Sequence, residues 1–209
     1  EHGEAVNEIV AVPTDGSAIA DPTLVRVLVT GPDFVHSPAV QIPAEGGTRL
    51  AWIQWDHPRM PWDGTELMLA DLGTADGGGP VVATSARLVA GGPDESVVQP
   101  GFTSNGDLLF CTDRTGWWNP WRLWEGHLDE EQPASMTVPV IATGGIEAEI
   151  GGALWVGGLR WWAEIDHGRL LATATSEGSD QLVVIHPDGS TDVLEAPFSE
   201  ISQVVTAAD

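Results

Sequence analysis

The sequence contains no tyrosine and no lysine: its 8 basic residues are all arginine, against 31 Asp and Glu, for a formal net charge of -23. So few cations cannot assemble a basic patch, and a field of that sign repels polyanions, which argues against any nucleic-acid partner. Cys111 is the only cysteine, so no internal disulfide can form, and its place in an apolar run marks it as a buried small hydrophobe. No apolar stretch approaches the roughly 18–20 residues of a membrane span, and no basic, apolar, small-residue leader opens the chain. The expectation is a cytoplasmic protein with no membrane partner. The first residue is Glu1 rather than Met, which leaves the targeting of a longer parent open.

Catalytic patterns are equally scarce. There is no G-x-S-x-G nucleophile elbow, whose small residues permit a strained strand-to-helix turn. Ser17, Ser179 and Ser190 follow glycines in turn contexts and read as turn serines. Among the 6 histidines no pair has HExxH spacing, and no cysteine accompanies them, so neither a metal site nor a cofactor is expected. Paired carboxylates for glycosidase chemistry cannot be picked out of so acidic a chain. No residue is assigned a catalytic role.

What the chain does have is 42% hydrophobic residues, 25 Gly, 15 Pro and 10 Trp, arranged with repetition. Asn105-Gly106 is a tight-turn dipeptide; Leu108 to Thr112 reads as a buried strand, Asp113 to Gly116 as a reversal, and Trp117 to Leu123 as a second strand. The same order of turn, strand, loop and strand recurs upstream, from Gly46-Gly47 through Leu50–Ile53 to Glu66–Leu72. It recurs downstream from His167-Gly168 through Leu170–Ala174 to Gln181–Ile185. Turn glycines that recur at about 60 residues indicate an array of supersecondary units.

Strands in fours at that period, without credible helices, read as propeller blades. The expected fold is all-β: a β-propeller segment of about three four-stranded blades plus partial blades at each end. A β-sandwich or barrel would need alternation without such self-similarity. The units are placed at residues 34–89, 96–142 and 148–194, with an outer hairpin at 7–30 and the start of a further blade at Ile201 to Thr206. The first strand of each blade should be innermost, which puts the third unit's at Gly151 to Val156. Gly73 to Pro80 reads as a glycine-rich excursion. An array open at both ends is expected to self-associate when isolated.

Residues 52–66 set Trp52, Trp55 and Trp62 around two prolines, marking a structured loop. Within it Trp55, Asp56, His57 and Trp62 are candidate substrate-binding or interface residues, Trp55 and Trp62 as an apolar platform; core packing is the alternative for any of the tryptophans. The tandem pairs Trp117-Trp118 and Trp161-Trp162 should each send at least one ring between blades.

QWDHPRMPWDGTELMLADL at 54–72 and TDRTGWWNPWRL at 112–123, followed by EAEIGGALWVGG at 147–158, resemble segments of successive blades in the propeller of the prolyl oligopeptidase family of serine peptidases. The similarity is to its acylaminoacyl-peptidase and dipeptidyl-aminopeptidase-like branch. The chain departs from that pattern at Gln41 to Gly46, where the family tends to a Ser-Pro-Asp-Gly turn. The resemblance implies a non-catalytic propeller gating the access of short peptides to an α/β-hydrolase domain of the same parent chain. It also implies that acidic groups on the propeller can meet a substrate's amino terminus. Glu149 is the candidate for that contact, a solvated turn carboxylate being its plainer reading. A stand-alone propeller-like binding module is the alternative function.

Overall fold

A computed structural model describes residues 5–41, 48–74, 81–166 and 168–206. The turn at Gly46-Gly47, most of the Gly73 to Pro80 excursion and His167 lie outside them. A short antiparallel pair, β1 (Ile9–Ala11) and β2 (Arg26–Val29), comes first. Three four-stranded antiparallel sheets follow, each in simple chain order. Blade one comprises β3 (Phe34–Gln41), β4 (Thr48–Trp55), β5 (Glu66–Thr74) and β6 (Val81–Gly91). Blade two comprises β7 (Val97–Phe102), β8 (Leu108–Thr112), β9 (Asn119–Leu123) and β10 (Val138–Pro139). Blade three comprises β11 (Trp162–Asp166), β12 (Arg169–Ser176), β13 (Ser179–Ile185) and β14 (Thr191–Leu194). The chain forms an all-β, propeller-like segment.

The apolar runs of the inner hairpins follow from burial on both sheet faces. In β4, Leu50 and Trp52 join a cluster with Val29 and Ala70 under the β1–β2 hairpin, while Ala51, Ile53 and Trp55 join the large core. That core continues through blade two, where all of β8 is buried, into Leu170, Ala172, Val183 and Ile185 of blade three. Cys111 is fully buried, and desolvation pushes its thiol pKa up, leaving it inert. At Asn105-Gly106, Gly106 adopts φ 89°, as the tight turn requires.

Several strand expectations are corrected. β9 starts at Asn119 rather than Trp117, because the Trp118 N–H donates to Glu149 and its C=O accepts from Ile150, outside the ladder. The first strand of blade three is β11, not Gly151 to Val156. In that stretch a Cβ on Gly151 would stand 2.7 Å from Trp118 Cβ, so only glycine lets the backbone pass beneath the ring. Ile201 to Thr206 forms no strand: the Ile201 N–H is taken by Asp180 Oδ2 and the Val204 N–H by the Arg160 C=O, two separate bonds without a ladder. At the close of the second unit, placed to residue 142, only Val138–Pro139 pairs as a strand.

The first strands of blades one and two share an irregularity. Ser37 (φ 49°) precedes Pro38, Gln99 (φ 45°) precedes Pro100, and the pairing register shifts at both places. Each is a bulge built on a left-handed residue and a proline that has no N–H to give.

Candidate functional site

One end of the three sheets carries the loop after β4, the β6–β7 and β8–β9 connections and the long segment leading to β11. All five residues singled out in the sequence lie there, with different roles. Trp55 is buried and stacked on Phe34, ring centroids 4.9 Å apart at 11°, so it belongs to the core and forms no surface platform. Its place on β4 contained the signal: it shares a face with Ala51 and Ile53. Asp56 and His57 join Asp33: the Asp33 N–H donates to Asp56 Oδ1, while Asp33 Oδ2 accepts from the His57 N–H and lies 3.0 Å from its Nδ1. These bonds hold the Asp33 carboxyl below the usual range.

Trp62 is 37% exposed and meets Trp155, which is 72% exposed, at 4.9 Å between centroids. The pair joins the β4–β5 loop to the segment before β11. Sequence reading missed Trp155, because its partner lies far away in the chain. Beneath the pair, Ser96 Oγ donates to the Pro61 C=O and accepts from Trp118 Nε1.

Glu149 sits between blades two and three rather than at the head of an inner strand. Its backbone exchanges hydrogen bonds with Thr175, and its Oε2 accepts from the Trp118 N–H. Burial and then the nearby Asp113 raise its pKa, partly offset by the Trp118 bond. Asp113 is raised too, by burial and by Glu95, although its Oδ1 accepts from the Ser96 N–H. Arg114 pairs with Glu95 at 2.7 Å and Arg59 with Glu66 at 3.5 Å, the counter-charges at this acidic end.

A groove runs along the first strands. One cavity of about 320 Å³ is lined by His36, Ser37, Pro38, Gln99, Pro100 and Arg160, among others. A second of about 480 Å³ shares Pro38, Pro100 and Arg160 and adds residues of β11, including Glu164. His36 Nδ1 lies 2.6 Å from Ser37 Oγ, and burial lowers the imidazole pKa, so a neutral His–Ser pair faces the first cavity. No carboxylate among the described residues bonds to His36 to complete a triad. Ser17 and Ser190 bind the aspartates of their own turns, and no group of three metal-ligating side chains occurs among the described residues. The described residues offer an aromatic and acidic rim at one end of the sheets, a groove along the first strands, and no assembled nucleophile.

No protein-family model and no curated protein matches the chain. Solved structures do. A puromycin hydrolase is 34% identical with a TM-score of 0.73, over 91% of this chain and 26% of its own. A puromycin-hydrolysing peptidase of Mycobacterium tuberculosis is 36% identical with a TM-score of 0.75, over 92% of this chain and 27% of its own. The chain thus spans about a quarter of the length of these relatives.

Proposed function

We propose, starting from a chain that is a propeller segment of the prolyl oligopeptidase family kind, that it acts as the non-catalytic filter of a serine peptidase in the cytoplasm. In this reading it limits the access of short peptides to an α/β-hydrolase domain of the same parent protein. The observation that carries the reading is the groove along the first strands, in a chain this similar to puromycin-hydrolysing proteins that also carries Trp62, Trp155, Asp113 and Glu149 at one end of its sheets. Such a rim suits a small substrate with an amino group and an apolar body: the carboxylates attract the cation and the rings offer contact area. The nucleophile, its base and the oxyanion donors belong to the partner domain. This chain contributes exclusion by size and orientation by charge.

The test is the hydrolysis of aminoacyl-peptide p-nitroanilides of increasing length by the full-length protein. The expected result is kcat/KM falling steeply with length, with the fall shifted to longer peptides when Trp62→Ala and Trp155→Ala are combined. Rates independent of length, or a full-length protein without a serine nucleophile, would overturn the reading.

A further inference from the structure

Seven of the eight arginines have side-chain partners: Arg26 on the Thr23 C=O, Arg49 on Asp129, Arg59 on Glu66, Arg87 on Asp71, Arg114 on Glu95, Arg122 on Asp107 and Arg169 on Asp166. Arg160 is the exception. Among the described residues no hydrogen bond or ion pair engages its guanidinium; only its backbone C=O is used, by Val204. In a chain with 31 Asp and Glu, a free guanidinium runs against the overall composition. It borders both cavities of the groove. The carboxylate that lines the groove with it, Glu164, has both oxygens occupied, by the Ser104 N–H at 2.6 Å and the Ser104 Oγ at 2.9 Å.

We propose that Arg160 is a recognition site for the terminal carboxylate of a peptide lying in the groove. The inference rests on the short-peptide reading above and adds which end of the peptide is held here. A guanidinium presents a planar fork of donors that matches a carboxylate in two parallel bonds. Walls built from Pro38, Pro100 and the neighbouring strands exclude part of the surrounding water, which strengthens the attraction. The net charge of -23 selects among anions: a phosphate or polyanion pays for entering that field, whereas a zwitterionic peptide enters with no net charge. Its carboxylate then faces Arg160.

The test uses the full-length protein, inactivated with a small serine-directed reagent so that nothing is cleaved, and titrated with dialanine and with its C-terminal amide. The free acid should bind about tenfold more tightly than the amide, as a charge-assisted hydrogen-bonded pair allows. Arg160→Gln should bring the two affinities together, and Arg160→Lys should keep part of the preference at an unchanged melting temperature, which excludes misfolding as the cause. Equal affinity for acid and amide in the parent protein, binding of neither, or a preference that survives Arg160→Gln overturns the proposal. The two readings fail separately. Length selection can vanish while acid preference remains, and acid preference can be absent while length selection holds.

Discussion

The seam between blades one and two and the seam between blades two and three bury one continuous apolar core, yet they are fastened in different ways. Across the first, long side chains reach over. Arg49 holds Asp129 with two bonds of 2.9 Å, Gln41 donates to the Gly106 C=O, Arg87 donates to the Leu128 C=O, and Thr65 Oγ1 both donates to and accepts from Val97. Across the second, a backbone wedge takes a share of the fastening, beside amide side chains and the Glu164 carboxylate, which accepts from the Ser104 N–H and Oγ. Residues 146–150 enter the cleft as a wedge, with Ile150 bonded to Trp118 on one side and Glu149 to Thr175 on the other. Asn119 and Gln99 complete it: Asn119 binds Ile146, and Gln99 donates to the Trp162 C=O and accepts from the Trp161 N–H. A side-chain clasp depends on charge and ionic strength, whereas a backbone wedge fixes register and is indifferent to salt.

The largest effect is expected where the wedge meets the core. Trp118→Ala removes a ring packed on the core and over Gly151, together with its bond to Ser96, and should cost about 3 kcal/mol in chemical denaturation. An unchanged midpoint would show that the wedge holds without the ring. Next, Gln99→Leu keeps the volume but strands a buried carbonyl and amide of blade three, a loss of about 2 kcal/mol by the same measurement. In the clasp, Arg49→Met should cost only about 1 kcal/mol, because Asp129 is exposed and returns to water. High salt should take a similar amount from the parent and nothing further from the variant. If Arg49→Met costs more than Gln99→Leu, the contrast between the seams is wrong.

The smallest effect concerns protons. Burial, then Asp113, raises the Glu149 carboxyl, so the folded chain holds that proton more tightly than the unfolded one. The group's penalty therefore builds as pH rises from the unfolded value to the raised one, stays constant above it, and is relieved as pH falls back through that window. Glu149→Gln keeps an acceptor for the Trp118 N–H without the charge. It should be slightly more stable than the parent near pH 7, an advantage that shrinks toward about pH 4, as paired thermal scans would measure. An advantage that grows on acidification would reverse the assigned sign.

Much of the architecture was legible because the apolar runs of β4, β8 and β12 are local signals bounded by turns. The strand expected at Gly151 to Val156 failed for a reason outside its own residues. Leu154-Trp155-Val156 looks like a strand core, but the flanking glycines serve close approach to Trp118 and Trp161. The candidate site was legible as a region and less so as a set of contacts. Trp62, Asp56, His57 and Glu149 do share one end of the sheets, but Asp33, Trp155 and Asp113, which give them their environments, come from elsewhere in the chain. Arg160 gave no signal, since its distinction is that no described residue engages its guanidinium.

Pro38 and Pro100 bear on how the edges of the first strands can pair. β3, β7 and β11 are the terminal strands of their sheets, each with an edge that has no ladder neighbour among the described residues. An extended peptide alongside such an edge would ordinarily zip onto it as an additional strand and stay. Pro38 and Pro100, each behind a residue turned out of line, break the row of donors halfway along β3 and β7. Along β3 and β7, therefore, an added strand would find no continuous row of donors to pair with.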